Sequence, residues 1–172
     1  MTLSTAALLT IGTEITTGQI FNRNSSSLAQ KLTDLNIQVL KHLSVPDEKA
    51  LMLEAMTELS RSASILLITG GLGPTSDDFT RNVVAEFLNC PLEFNPSIWD
   101  GICTRLQGLG IRVAESNKIQ SFFPKGATIL TNPAGTAAGF WIKNFVVLPG
   151  PPREIEAIWN EHNLGNQIRD HF

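Results

Sequence analysis

One stretch of the sequence combines three glycines with two adjacent carboxylates. It runs Thr69-Gly-Gly-Leu-Gly-Pro-Thr-Ser-Asp-Asp78, and its chemistry-bearing residues are Gly70, Gly71, Gly73, Thr75, Asp77 and Asp78. Glycine lacks a Cβ, so the backbone can adopt a positive φ and approach a ligand closely. A helix N-terminus after such a loop favours phosphate, whereas two carboxylates repel it unless a hard divalent cation lies between them. The stretch predicts a metal-bridged phosphate site; the alternative is that an aspartate only caps the helix.

An earlier loop and one further acid carry residues of the same types. In Thr10-Ile-Gly-Thr-Glu14, Gly12 and Thr13 are candidate phosphate-binding residues. Glu14 could be a metal ligand, could bind a hydroxyl of the ligand, or could be a solvated loop acid. Asp47 stands at the start of a predicted helix, where its local pattern indicates a cap.

The third group of candidates joins two segments near the C-terminal end. These are Asn132-Pro-Ala-Gly-Thr-Ala-Ala-Gly139 and Leu148-Pro-Gly-Pro-Pro-Arg-Glu154. Gly135 and Thr136 could offer N–H groups and a hydroxyl to a phosphate, or form only a tight turn. Arg153 could bind a phosphate through two hydrogen bonds or make a surface salt bridge.

Several other chemistries are excluded or disfavoured. The glycine loop lacks the Gly-Lys-Ser/Thr of a P-loop, and no Gly-x-Gly-x-x-Gly follows the first predicted strand. The three histidines have no zinc spacing, the two cysteines cannot build a disulfide scaffold, and there is no tyrosine.

The elements that must position these loops alternate between strands and helices. Apolar runs and alternation predict strands at Ala6–Ile11, Ile37–Val45, Ser64–Thr69, Thr128–Leu130 and a hairpin of Gly139–Ile142 with Phe145–Leu148. Helical periodicity predicts helices at Asn24–Leu35, from Asp47, within Thr75–Asn89, and at Pro96–Leu109, Glu115–Phe123 and Pro151–Glu161. This order predicts one α/β domain over residues 1–172, with three layers and a mostly parallel sheet. Ligands of such sheets bind beyond the carboxyl ends of the strands.

The composition limits the possible partners. The chain has 172 residues, 42% of them hydrophobic and 17% charged, and a net charge of −3. A slightly acidic chain has no overall basic field, so we expect no nucleic-acid partner. Apolar runs stop at about four residues, whereas a membrane span needs about 20, so we expect no membrane partner. The N-terminus lacks the pattern of a signal peptide, and the low cysteine content agrees with a reducing compartment, so we predict a cytoplasmic protein.

The motifs taken together resemble a known family. They are Ile11-Gly-Thr-Glu14, Gly18-Gln-Ile20, Asn22-x-Asn24, Gly70-Gly-Leu-Gly-Pro-Thr-x-Asp-Asp78, Thr80-Arg81, Asn117-x-x-Gln120, Asn132-Pro-x-Gly-Thr-Ala137 and Leu148-Pro-Gly-x-Pro152. Their order and spacing resemble the N-terminal domain of CinA (competence/damage-inducible) proteins. That domain belongs to the wider molybdopterin-binding, MoaB/MogA-like family, and the likeness covers about residues 6 to 160.

The resemblance implies a three-layer α/β/α fold and two functional branches. Domains of the CinA type hydrolyse ADP-ribose to AMP and ribose 5-phosphate with a divalent cation (Mg²⁺, Mn²⁺ or Co²⁺) and are helped by potassium. Domains of the MogA type adenylylate molybdopterin with Mg-ATP. The MogA branch uses the acid that closes the glycine loop, here Asp78, and an acid in a Pro-Asp-Glu helix start, here Asp47. Family members form dimers or trimers, so we expect a homo-oligomer.

We therefore expect an ADP-ribose pyrophosphatase-like hydrolase acting on a small nucleotide. Asp78 and Asp47 are the predicted catalytic residues, and Asp77, Asp78 and Glu14 the predicted metal ligands. The predicted phosphate- and nucleotide-binding residues are Gly12, Thr13, Gly70, Gly71, Gly73, Thr75, Gly135 and Thr136. The alternatives are a molybdopterin- or nucleotide-binding module and a MogA-like adenylyltransferase.

Two departures from the CinA pattern limit these expectations. The usual Gly-Thr-Ala-Pro-Gly reads Gly135-Thr-Ala-Ala-Gly139, which removes one rigid φ constraint. CinA proteins usually continue into a nicotinamide-nucleotide amidohydrolase domain, whereas this sequence ends at Phe172, so we assign it no deamidase activity.

Overall fold

The computed structural model describes residues 4–172. Within that range the strands are β1 (Thr5–Ile11), β2 (Gln38–Val45), β3 (Ile65–Thr69), β4 (Leu92–Phe94), β5 (Phe122–Pro124), β6 (Thr128–Leu130), β7 (Gly139–Ile142) and β8 (Phe145–Leu148). The α-helices are α1 (Thr13–Thr16), α2 (Arg23–Asp34), α3 (Lys49–Ser62), α4 (Thr80–Phe87), α5 (Pro96–Gly108), α6 (Pro152–Glu161) and α7 (Leu164–Asp170). A 3₁₀ helix spans Glu115–Ser121.

Six strands form one sheet in the order β2-β1-β3-β8-β7-β6. The first four in that order are parallel neighbours, while β7 and β6 add an antiparallel edge. The predicted parallel sheet with a C-terminal hairpin is confirmed. Because β1, β3 and β8 are parallel, their carboxyl ends meet at one edge of the sheet, where the predicted ligand loops follow.

Two apolar clusters, one on each face of the sheet, give the three layers. On one face α3 and α4 pack Met52, Met56 and Val84 against strand residues such as Leu66. On the other face α2, α6 and α7 pack Leu28, Leu32, Ile158 and Ile168 against residues such as Leu67. The strand side chains alternate between the two clusters, which is why β1 and β3 are almost continuously apolar. The α/β/α architecture is therefore as predicted.

Several boundaries differ from the sequence-based prediction. One helical turn, α1, lies where a loop was expected, and the last helix is followed by a further one, α7. The predicted helix at Glu115–Phe123 is a 3₁₀ helix that ends at Ser121. Its last two predicted residues, Phe122 and Phe123, belong to β5, which pairs with β4 in a small second sheet. Helix α3 begins at Lys49, so Asp47 lies outside it.

Candidate functional site

A cleft of about 900 Å³ opens at the carboxyl ends of β1, β3 and β8. Its walls are the loops that follow β1, β2, β3 and β8, the start of α2, Gln120 and Thr136. The volume lies within the range of small-molecule pockets. The position agrees with the site that a parallel sheet predicts.

The glycine loop after β3 forms the floor of this cleft. Gly70 has a φ of +103°, and a Cβ there would collide with the carbonyl oxygen of Ile11. Gly71 has a φ of +65°, and a Cβ there would collide with the hydroxyl of Thr80. That hydroxyl donates to the Gly70 carbonyl at 3.0 Å, and the Gly70 N–H donates to the Leu148 carbonyl at 3.1 Å. Hydrogen bonds therefore hold the loop to both β8 and the start of α4, along a backbone path that only glycine can follow.

Asp78 closes the glycine loop from its far end. Its Oδ2 accepts hydrogen bonds from the backbone N–H of Thr75, at 3.0 Å, and from the Thr75 hydroxyl, at 2.6 Å. A Cβ on Gly73 would collide with this carboxylate, so Gly73 makes room for it. Helix α4 begins two residues later with no side-chain cap, so the alternative that Asp77 or Asp78 caps it is wrong. Both aspartates line the cleft, and Asp77 is exposed and accepts from Ser76 at 3.0 Å.

Asp47 is bound to the loop that follows β1. Its Oδ2 accepts from the Thr13 N–H at 2.8 Å and from the Thr13 hydroxyl at 2.9 Å, and its own N–H donates to that hydroxyl at 3.1 Å. Asp47 lines the cleft, whereas Thr13 does not. The local interpretation of Asp47 as a helix cap is therefore wrong. Its observed role is to fix the ends of β1 and β2 to each other.

Glu14 lies over Gly12 at the same rim. A Cβ on Gly12 would come within 2.8 Å of the Glu14 Oε1, so the absence of a side chain at Gly12 lets the carboxylate fold back. The Gly12 N–H donates to the Val45 carbonyl at 3.0 Å and extends the pairing of β1 with β2. Gly12 and Glu14 both line the cleft, and Glu14 is exposed.

In the segment between β6 and β7, Thr136 lines the cleft and Gly135 does not. A Cβ on Gly135 would collide with the carboxylate of Glu154, which accepts from the Asn132 side chain at 2.7 Å. Glu154 itself lines the cleft, at the first turn of α6. Glu154 was not predicted as a site residue, because no local sequence spacing connects it with Asn132.

The predicted residues therefore fall into two groups. Those on the cleft surface are Gly12, Glu14, Asp47, Gly70, Gly71, Gly73, Asp77, Asp78 and Thr136. Of the other three, Thr13 and Thr75 donate hydrogen bonds to the carboxylates of Asp47 and Asp78, and Gly135 leaves room for the carboxylate of Glu154. Arg153 is exposed and outside the cleft surface.

Two buried side chains of the sequence motifs, Arg81 and Gln120, support the glycine loop from its buried side, although neither was predicted as a site residue. Arg81, 2% exposed, donates from Nη2 to the Leu72 carbonyl at 2.9 Å, and Gln120 donates to the same oxygen at 3.3 Å. The guanidinium also stacks over the ring of Phe123 at 5.8 Å. Burial lowers the pKa of Arg81 to about 10, and the nearby charge of Asp78 opposes this shift.

The cleft is lined by an excess of negatively charged side chains. Five carboxylates line it, from Glu14, Asp47, Asp77, Asp78 and Glu154, against a single basic side chain among the described residues, Arg23. Within residues 4–172, no three Asp, Glu, His or Cys side chains come together as a metal site. The predicted ligands Asp77, Asp78 and Glu14 therefore share a cleft without forming a closed site. Mg²⁺ commonly takes only one or two protein carboxylates and completes its coordination with substrate phosphates and water, which this arrangement would allow.

Comparison with known proteins assigns the family. The model described as a probable molybdopterin binding domain (MoCF_biosynth) matches residues 7–165. The chain belongs to this molybdopterin-binding domain family. The domain is 39% identical over 161 residues to a competence-damage inducible protein of Alkaliphilus metalliredigens, and 40% identical over 161 residues to a CinA-like protein of Crocosphaera subtropica.

Solved structures confirm the fold of this molybdopterin-binding-type domain. A crystal structure of CinA from Thermoplasma acidophilum, a protein described as of unknown function, superposes with a TM-score of 0.87 at 25% identity, covering 96% of this chain and 99% of that one. MoaB from Pyrococcus furiosus, a tungsten cofactor synthesizing protein, superposes with a TM-score of 0.59 at 15% identity over 99% and 98% of the two chains. The resemblance to CinA-like proteins within a MoaB/MogA fold is thus confirmed.

The matched relatives are much longer than this chain. The alignments cover 91% of this chain and only 39% of each of the two curated relatives. In the part of the chain that the structure describes, no helix is both long and apolar enough to cross a bilayer.

Proposed function

We propose that the cleft binds a small phosphorylated molecule, a nucleotide or molybdopterin, with its phosphate on the glycine loop. The observation that carries this proposal is the glycine loop, whose backbone path requires Gly70 and Gly71 and opens into a cleft of about 900 Å³. Membership of the molybdopterin-binding domain family supports it. The acidic walls imply that a divalent cation accompanies the phosphate, since five carboxylates would otherwise repel it.

Within this proposal, the activity we favour is hydrolysis of the diphosphate of ADP-ribose or a similar nucleotide to AMP and a sugar phosphate. The likeness to CinA proteins supports it. The loop would hold the diphosphate, and Asp78 and Asp77, with Glu14 at the rim, would hold a Mg²⁺, Mn²⁺ or Co²⁺ ion. Such an ion neutralises phosphate charge and lowers the pKa of bound water. Asp47, which also lines the cleft, would orient the attacking group, and potassium is proposed as an additional cation.

A second candidate is a molybdopterin-binding module or a MogA-like adenylyltransferase of molybdenum cofactor synthesis. The family model is a molybdopterin-binding one, and the MoaB fold is shared over nearly the whole chain, which supports this reading. The same loop and the same acids would then hold molybdopterin and Mg-ATP. We also propose a cytoplasmic homo-oligomer, in keeping with the resemblance.

Asp78→Asn separates charge from loop structure. The asparagine keeps an oxygen that can accept the two hydrogen bonds from Thr75, so the loop should persist, while the negative charge is lost. Both proteins are incubated with ADP-ribose, K⁺ and each of the three divalent cations in turn. We expect the variant to release AMP at least about 100-fold more slowly than the wild type, because the cation that stabilises the transition-state charge is lost. Chromatography of AMP against time measures this.

The matched control is Asp100→Asn, which removes an exposed carboxylate on α5, outside the cleft. It should leave AMP release unchanged. Absence of AMP from folded wild-type protein with every cation would reject hydrolysis. Binding of molybdopterin or a nucleotide in the same samples would then support the second candidate.

A further inference from the structure

We infer that the segment leading into α2 forms a subsite for a flat heterocycle that carries N–H donors, a purine or a pterin. This inference rests on the proposed function, because it assigns the ring-binding half of the ligand whose phosphate lies on the glycine loop. Three observations support it: an exposed aromatic side chain at the cleft rim, a rigid base beneath it, and buried hydrogen-bonding atoms without a partner beside it.

The rim of the cleft exposes two large apolar side chains. Phe21 is 87% exposed and Ile20 is 56% exposed, and both line the cleft. An aromatic ring that is almost fully in water gains favourable burial when a flat ring stacks on it, and stacking accepts any heterocycle with a π-face. Other exposed apolar side chains, such as Leu109, lie outside the cleft.

The backbone that presents Phe21 is held by one amide. The Asn22 Nδ2 lies within hydrogen-bond distance of the hydroxyls of Thr10 (3.0 Å), Ser25 (2.8 Å) and Ser44 (3.0 Å), and its two hydrogens can serve two of these oxygens at a time. The Asn22 Oδ1 accepts from the Ser25 N–H at 3.1 Å. This network fixes the start of α2 to the ends of β1 and β2. Phe21 therefore stands on a fixed base, which lowers the entropy cost of binding a ring.

Beside this rim, two buried polar side chains have atoms without a hydrogen-bond partner among residues 4–172. Asn24 is 7% exposed; its Nδ2 donates to the Gly150 carbonyl at 2.7 Å, and its Oδ1 has no partner. Thr69 is 2% exposed, and its hydroxyl has no partner either. Both line the cleft. A buried acceptor without a donor is unfavourable, so these atoms favour a ligand that brings N–H groups.

The two parts of the cleft, the ring subsite and the glycine loop with its carboxylates, have complementary chemistry. The ring subsite has an apolar rim and a neutral amide oxygen, which suit an uncharged heterocycle. The glycine loop and the carboxylates suit a phosphate with its cation. Both parts line the same cleft, so a ring-bearing phosphate can contact both, and Arg23, between Phe21 and Asn24 in sequence, adds a basic side chain to it.

Titration calorimetry in Mg²⁺ tests the subsite with Phe21→Ala. Because the Phe21 side chain is 87% exposed, its removal should not change the unfolding temperature. AMP and a pterin monophosphate are the ring-bearing ligands, and pyrophosphate is the ring-free one. We expect the variant to bind at least one ring-bearing ligand about tenfold more weakly and pyrophosphate unchanged. Which ring-bearing ligand is affected identifies a purine or a pterin. Leu109→Ala, at a 64% exposed residue away from the cleft, should change nothing.

A second measurement examines the buried acceptor without altering the protein. Purine riboside 5′-monophosphate lacks the exocyclic amine of AMP, so it should bind the wild type about fivefold more weakly if AMP donates to Asn24. Equal affinity of the two nucleotides would reject that contact for a purine. Ring-bearing ligands that bind Phe21→Ala as well as wild type, or a changed oligomeric state in this variant, would overturn the subsite while pyrophosphate binding leaves the phosphate site standing. Absence of pyrophosphate binding in the wild type would overturn the proposed function as well.

Discussion

At the scale of single residues, Arg81 determines how the glycine loop is supported. A guanidinium that is 2% exposed keeps its charge beneath the loop, binds the Leu72 carbonyl and lies near Asp78. Its remaining Nε and Nη1 have no partner in the described chain. Burial of an incompletely paired charge is costly, and this cost is why the pKa of Arg81 falls to about 10.

This lowered pKa gives a pH prediction. Below about pH 9, Arg81 is protonated in both the folded and the unfolded chain, so it adds no pH dependence to stability. Above pH 10 the folded protein releases the proton first, and stability attributable to Arg81 rises by about 1 kcal/mol by pH 11. Urea unfolding of the wild type and Arg81→Met from pH 6 to 11 measures this. A difference between the two proteins that changes between pH 6 and 9 would contradict it.

At the scale of elements, the turn after β3 depends on glycine for two separable reasons. Gly70 combines a positive φ with a collision, since a Cβ would meet the Ile11 carbonyl, whereas Gly18 has a positive φ of +76° and open space around it. Gly18→Ala should therefore cost about 1 kcal/mol of unfolding free energy through backbone strain alone. Gly70→Ala should cost more than about 2 kcal/mol and weaken pyrophosphate binding, because the loop must move.

Thermal unfolding and calorimetry of the two alanine variants measure both effects. Equal destabilisation by the two substitutions would show that the contact with Ile11 carries no energy. Unchanged pyrophosphate binding by Gly70→Ala would show that the loop does not hold the phosphate.

The elements also show how far the sequence could predict the fold. Strands β1 and β3 were predicted to within one residue, because their side chains enter apolar clusters on both faces of the sheet and leave continuous aliphatic runs. Helix α7 was missed since it has only two buried large apolar side chains, Leu164 and Ile168, and contains Gly165, a weak helix former. The strands β4 and β5 have three residues each and pair across the intervening α5, so no local pattern indicates them.

The candidate site likewise has features that the sequence predicts and features that depend on tertiary contacts. The glycine loop carries its own signal, because three glycines and two aspartates lie within one short stretch. The pairing of Asp47 with Thr13 could not be predicted, since the residues are 34 positions apart and each has a plausible local role. The position of Glu154 beside Gly135 could not be predicted either, since the two residues lie on different elements that are far apart in sequence.

At the scale of the whole molecule, the charge of the cleft is the basis of the proposed dependence on a cation. The chain carries a net charge of −3, and five of its acids line one cleft. We expect pyrophosphate binding to weaken at least about tenfold when EDTA replaces Mg²⁺, because Coulomb repulsion between the carboxylates and the phosphates is then uncompensated. Calorimetry at matched ionic strength measures this, with added NaCl as the control for screening. Equal affinity in EDTA would show that the cleft binds phosphate through its N–H groups alone.

The strand order has a consequence for synthesis of the protein on the ribosome. Strand β3 pairs with β8, with Leu66 opposite Phe145. The centre of the sheet therefore cannot form until the chain has been synthesised to β8. The glycine loop likewise receives its hydrogen bond to Leu148 only at that stage. A nascent chain therefore exposes an unpaired edge of β3, with four consecutive aliphatic residues, while most of the remaining sequence is translated. Such an edge is a target for chaperones. We therefore expect the proposed ligand to bind only after β8 has left the exit tunnel.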